Sequence, residues 1–310
     1  MGSGLVTFSK FPIQQTFFKR YILNGEPHQV FHGDWFSGKG IGACRINLPN
    51  GRVLDFYNTH LHAEYDVHTN FYMVHRMCQL QELVQFVELT SRSSHAIVVV
   101  GDLNTIPEST PYELFFRKHS LSSHAPLFDT WQSAKGRRIT GRIVRAKDED
   151  PEAVESAGYT YNLPRNTYHT ELYPTEKLDY VMIGGSRPVT CLDAGVLVND
   201  RVLGSPKSLS DHCLVWAKLS VGDLENSPAT NNADAVSIKD KLEAASQAVS
   251  ILRNEIYRVK DMIRFCHFLA AVLGGLFLAI FLVVLITFTT GVLSKGVLFG
   301  LFCVQPLILI

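Results

Sequence analysis

Hydrophobic and polar positions divide the 310-residue chain into three stretches. From residue 1 to about 220, short apolar runs alternate with helically spaced ones. Val53 to Leu61 reads as a strand, and Asn70 to Leu89 as a helix through Met73, Met77, Leu80, Leu83 and Val87. Ala96 to Val100 is a buried-strand run that ends at Gly101, and Leu178–Ile183 and Cys213–Leu219 are further strands. Leu5-Val6-Thr7-Phe8-Ser9 has the look of an interior strand, closed by a turn at Lys10 and Pro12. Residues 134–157 hold a charged segment without period, which predicts a surface excursion. Together these elements predict one α/β domain over residues 1–220, long enough to bury a core.

Residues 221–236 are polar and read as a linker. Ile238, Leu242, Ala245, Val249, Leu252, Ile256, Val259 and Ile263 then recur at alternating four- and three-residue spacing, with Ser237 available as N-cap. That stripe predicts an amphipathic helix over 237–264, lying on the domain or a membrane surface, or facing a partner helix. Phe268 to Leu293 carries no charge and is longer than the ~20 apolar residues that cross a bilayer core. Residues 265–294 are therefore expected to be a transmembrane helix. Residues 295–310 form a second apolar segment, broken at Gln305-Pro306, that could be a clipped second helix.

Charge sharpens this picture. Arg253, Arg258, Lys260 and Arg264 precede the span and Lys295 stands alone after it, which orients residues 1–262 to the cytoplasm, on an internal membrane such as the endoplasmic reticulum. The chain has 29 basic and 29 acidic residues, so no basic excess points to a nucleic-acid partner. Its six cysteines form no CxxC pair, as suits a reducing compartment. The first nine residues contain no secretory h-region.

Four motifs carry candidate chemistry. Thr59-His60-Leu61-His62 sits at a strand end, where α/β sites are built. Gly101-Asp102-Leu103-Asn104 follows a buried strand, and its period of two predicts Asp102 and Asn104 on one side; an Asx turn closing the strand is the plainer alternative. Asp179 lies inside an apolar strand, where a buried carboxylate needs a partner such as a cationic His. Ser210-Asp211-His212 precedes the last strand, and a turn there brings Asp211 and His212 to one place. Each also has a solvated-surface reading when taken alone.

In this order the motifs resemble the signature of the DNase I-like endonuclease/exonuclease/phosphatase superfamily. Gly33-Asp34-Trp35-Phe36-Ser37-Gly38-Lys39-Gly40 and Thr59-His60-Leu61-His62-Ala63-Glu64-Tyr65 resemble, within it, the neutral sphingomyelinases. The resemblance covers residues 3 to about 218. It implies a four-layer α/β sandwich and Mg²⁺-assisted hydrolysis of sphingomyelin to ceramide and phosphocholine. It further implies His212 as general base, Asp179 as its orienting carboxylate, and Asp102 with Asn104 positioning water and phosphate. His60 would be a phosphate-side donor or acid, Asp211 and Asp102 would lie at the metal, and Asp34 and Lys39 would face the substrate phosphate.

The chain departs from that pattern at the metal. The family's main Mg²⁺ ligands, an early Asn and Glu, have no counterpart here, and the chain is expected to be truncated at its N-terminus. Other readings are a different phosphodiesterase or phosphatase of this fold, acting on lysophospholipids, inositol phosphates or abasic sites, or a catalytically inactive membrane scaffold. Zero net charge and the apolar span weigh against the endonuclease, and the Gly33–Lys39 loop against the inositol phosphatase.

Overall fold

The computed structural model describes residues 2–66, 69–92, 95–117, 126–135, 142–143, 157–184, 189–197, 201–222 and 238–290. Residues 223–236 of the expected linker, the Ser237 cap, the second apolar segment and most of the 134–157 excursion lie outside the described residues, while Val221 belongs to the last strand of the domain. The chain divides into two compact units, residues 1–249 and 250–310.

The first unit is built on a six-stranded mixed sheet. Its strands are β1 (Ile13–Arg20), β2 (Gly40–Asn47), β3 (Val53–His60), β4 (Ala96–Asp102), β5 (Phe128–Asp129) and β8 (Asp179–Gly184), in the order β1-β2-β3-β4-β8-β5. Among the described strands only β3 and β4 run parallel, so a crossover must join them, and α1 (Met73–Thr90) supplies it. The helix buries Met77, Leu80, Leu83, Val84 and Val87, close to the face its spacing predicts. β4 is buried on both sides from Ala96 to Val99, in keeping with its unbroken apolar run.

Smaller elements complete the unit. Among the described residues they include the single turn α2 (Thr110–Tyr112), the short helix α3 (Thr130–Lys135), a β6–β7 pair (Arg142–Ile143 with Thr175–Glu176), and a β9–β10 ribbon (Val189–Leu197 with Leu214–Val221). The α/β class is as the sequence alternation predicts. Leu5–Ser9 is a correction: it forms no ladder, because no strand among the described residues pairs with it, and the first strand is Ile13–Arg20. An apolar run alone does not make a strand without a partner.

Register places the chemistry. β3 and β4 end at the same edge, and antiparallel β8 begins there. His60 is paired with Asp102, and Asp102 with Asp179, so three strands set His60, Asp102 and Asp179 in one row. Gly101 makes the close approach possible. Its φ is +144°, and an added Cβ would sit 1.9 Å from the Thr59 carbonyl oxygen.

The remaining element is one continuous helix, α4 (Ile238–Thr289), which takes in both the amphipathic stripe and the apolar run. Its most apolar 18-residue window has a mean hydropathy of 3.0, and the helix is long and apolar enough to cross a membrane.

Candidate active site

The row of strand ends floors a cavity of about 820 Å³, which all eight sequence-predicted site residues line. His212, from the turn before β10, closes one side. Its Nδ1 lies 2.7 Å from Asp179 Oδ2, and its Nε2 lies 4.0 Å from Asp102 Oδ2. On the other side His60 Nε2 lies 3.2 Å from the same Asp102 oxygen. One carboxylate thus stands between two imidazoles, and a second carboxylate holds the outer one.

Backbone contacts fix this constellation. Thr160 Oγ1 accepts hydrogen bonds from Leu178 N and Asp179 N, while Thr160 O accepts from Cys213 N at 2.7 Å. The loop bearing Thr160 thereby ties the start of β8 to the segment carrying His212. Asp211 also lines the cavity, and its Oδ1 accepts from Ser210 Oγ.

Asn104 and Asp102 converge, but not through strand alternation. β4 stops at Asp102, and Asn104 adopts φ +45°. Asn104 N donates to Asp102 Oδ1 at 2.8 Å, and Asn104 Nδ2 donates to Asp102 Oδ2 and Leu61 O. The Asx turn weighed as the plainer alternative is therefore present, and it orients the site carboxylate. Both amide hydrogens of Asn104 are committed within the protein rather than offered to a phosphoryl oxygen.

Electrostatics follow from this crowding. Burial alone would raise the Asp102 carboxyl, but the hydrogen bond and charge of His60, the charge of His212 and the Asn104 N–H hold it below the usual range. Burial and the Asp102 charge push Asp179 up, with the His212 hydrogen bond pulling it back. Burial works against a charged His212, yet the Asp179 hydrogen bond and the charges of Asp179, Asp102 and Asp211 raise it to about 9.

The Gly33–Lys39 loop reaches the cavity in a form the sequence does not reveal. Lys39 is buried, with Nζ 2.7 Å from Asp34 Oδ1 and 2.8 Å from Leu61 O. Asp34 Oδ2 accepts from Ala63 N, so the pair straps the loop to the backbone beyond His60. Burial lowers the Lys39 pKa, and Asp34 counters it. Of the two neighbouring histidines only His60 faces the site. His62 is fully buried, stacked on Tyr72 at 3.9 Å, and burial lowers its pKa to about 3.

Asp102, Asp179 and His212 bring three possible ligand atoms within 4.8 Å of one another, so the site could touch a metal ion. Mg²⁺ demands near-octahedral oxygen ligation. Here Asp102 already serves Asn104 and His60, Asp179 serves His212, Glu64 and Glu176 are held by arginines, and Asp211, which accepts from Ser210 Oγ, adds a single further carboxylate. The described residues therefore do not fit Mg²⁺ as a resident ion by themselves.

Sequence reasoning missed three charged residues beside the site, Arg76, Arg142 and Glu176, and placed Glu64 only within the His60 motif. Arg76, Glu64, Arg142 and Glu176 form an alternating chain, and both carboxylates line the cavity. Their partners lie up to 78 positions apart, and the only sequence signal was Glu64 in the His60 motif.

The chain is 30% identical over 321 residues to the inositol phosphosphingolipids phospholipase C of Schizosaccharomyces pombe, covering 98% of this chain and 72% of that protein. It is 32% identical over 235 residues to the protein of the same name from Saccharomyces cerevisiae, covering 74% of this chain and 47% of the relative. To human sphingomyelin phosphodiesterase 2 it is 48% identical over 108 residues, 35% of this chain and 25% of that one. This chain thus spans about half, or less, of the length of several of its relatives. Among solved structures, a beta toxin from Staphylococcus aureus aligns with a TM-score of 0.48 at 18% identity, over 68% of this chain and 65% of the toxin. Residues 1–216 match the Endonuclease/Exonuclease/phosphatase family, and the chain belongs to that family.

Proposed function

We propose that this chain is a membrane-tethered phosphodiesterase that hydrolyses sphingomyelin to ceramide and phosphocholine. The observation that carries the reading is the His212–Asp179 pair facing His60 and Asp102 across one open cavity. Asp179 accepts a hydrogen bond from His212 Nδ1–H, leaving Nε2 to take a proton from a water in the cavity. That water attacks phosphorus in line with the ceramide oxygen. The phosphorus–oxygen bond to ceramide breaks, and the departing oxygen takes a proton. His60, 38% exposed, stands on the phosphate side as donor, and Asn104 holds Asp102 in place. Asp34 and Lys39 bound the phosphate end, where their ion pair holds the loop against the backbone beyond His60.

Helix α4 tethers the domain beside its lipid substrate, with the domain on the cytoplasmic side.

Hydrolysis in ¹⁸O-labelled water tests the chemistry. Attack at phosphorus puts the label in phosphocholine, whereas label in ceramide would overturn it. The match to an inositol phosphosphingolipid phospholipase C over 98% of this chain favours a second headgroup. Parallel assays on sphingomyelin and inositol phosphosphingolipid vesicles separate the two.

A further inference from the structure

The charge chain beside the cavity has a geometry that the proposed chemistry leaves unused. Arg142 Nη2 donates to Glu64 Oε2 at 2.8 Å, and Arg142 Nε donates to Glu176 Oε1. Arg76 Nη2, on α1, contacts the other Glu64 oxygen at 3.3 Å. Glu176 is 5% exposed at its side chain and Glu64 14%. Burying two carboxylates this deeply is costly unless each keeps its cation. Burial pushes the Glu176 carboxyl up, and Arg142 is the foremost group pulling it back.

The two carboxylates belong to opposite walls of the site. Glu64 lies four residues beyond His60, on the segment strapped by Asp34 at Ala63 N. Glu176 lies on β7, where it exchanges backbone hydrogen bonds with Tyr161 and accepts one from Thr160 N. Thr160 in turn holds Asp179 and the segment of His212. A single guanidinium therefore bridges the wall that carries His60 and the wall that carries the His212–Asp179 pair.

We propose that Arg142 is a positioning residue, a strut whose fork sets the distance between these two walls. The strut rests on the proposed phosphodiesterase reading for its effect on rate, but not for its effect on structure. Arg suits the task because its planar fork presents separate donors to two carboxylates, whereas the Lys ammonium is a point charge on a flexible stem. Without the fork, Glu64 keeps Arg76 and Glu176 loses its ion-pair partner.

The test uses Arg142→Gln and Arg142→Lys in the full chain, with two readouts. Hydrogen exchange followed by mass spectrometry should show faster exchange in Arg142→Gln at both residues 61–65 and 175–179, with Arg142→Lys intermediate. For turnover of sphingomyelin in vesicles, kcat should fall roughly 10- to 100-fold in Arg142→Gln, the scale of a ~1 Å misplacement. KM should stay within about threefold, since the residue acts by alignment, and Arg142→Lys should recover only part of the loss, since one ammonium cannot serve both carboxylates as the fork does. Unchanged exchange in either segment overturns the strut. So does a raised KM at constant kcat, which would make Arg142 a substrate-binding group. If the wild-type protein turns over no sphingomyelin, the functional reading fails and the exchange data still decide the strut. If Arg142→Gln does not fold, exchange in Arg142→Lys at wild-type rates in both segments overturns it.

Discussion

Asp179→Asn probes the electrostatics of the site most sharply. The carboxylate accepts a hydrogen bond from His212 Nδ1–H, with N and O 2.7 Å apart. Burial opposes a charged ring, but that hydrogen bond and the charges of Asp179, Asp102 and Asp211 raise His212 from 6.5 to about 9. The interval corresponds to at most roughly 3 kcal/mol of preference for the imidazolium. Three carboxylates share it, and the 24% exposure of the side chain reduces it. A folded-state pKa above the unfolded one stabilises fully below pH 6.5, and the benefit drains as pH rises through about 9. The Asn amide keeps the shape without the charge, so the His212 midpoint should drop by on the order of one pH unit. The stability advantage of wild type over the variant should be largest below pH 6.5 and should shrink by pH 9. Turnover should fall by ~10²- to 10⁴-fold, because the tautomer that frees Nε2 is no longer held. Ring ¹H–¹⁵N NMR from pH 5 to 10, thermal unfolding at both ends of that range and phosphocholine release measure the three effects. An unmoved His212 midpoint, or an advantage that grows toward pH 9, refutes the reasoning.

Asp102→Ala should lower turnover by ~10²-fold or more with an unchanged far-ultraviolet circular dichroism spectrum; a tenth of the wild-type rate retained would remove Asp102 from the reaction. Gly101→Ala should destabilise the domain by more than about 1 kcal/mol, because φ is +144° and the new Cβ meets the Thr59 carbonyl at 1.9 Å, and an unchanged denaturation midpoint would contradict that. Mg²⁺ at 1 mM should leave the unfolding temperature within about 1 °C, since the site carboxylates other than Asp211 are committed elsewhere; binding at 100 times Kd would instead add about 2.7 kcal/mol. A glycosylation acceptor engineered between residues 223 and 235 should stay unmodified in cells, and efficient modification would place the domain in the lumen.

Much of the site was legible because its parts are short and local. A strand that ends in Gly-Asp-x-Asn, an Asp in an apolar strand and a Ser-Asp-His turn each mark a strand terminus. Their order along the chain locates His60, Asp102, Asp179 and His212. The register that sets the first three in one row was not legible, since pairing across β3, β4 and β8 depends on tertiary contacts. Asp102 and Asn104 illustrate the limit: period-two reasoning brings them together, and a left-handed turn at Asn104 is what does so. Lys39 shows another. Its charge suggests an exposed phosphate ligand, while the fold buries it against Asp34 and the Leu61 carbonyl. Arg142 sits in a segment with no periodicity, and only the fold brings it to Glu64 and Glu176.

Phosphocholine release from sphingomyelin vesicles, with Mg²⁺ in millimolar excess, tests the central claim most directly when wild type and His212→Ala are compared across pH 6 to 10. The His212–Asp179 pair predicts wild-type turnover that climbs as pH approaches about 9, where the ring becomes neutral, and a flat trace at least ~10²-fold lower for His212→Ala. Equal rates in the two proteins, or hydrolysis that yields free choline instead of phosphocholine, would contradict it.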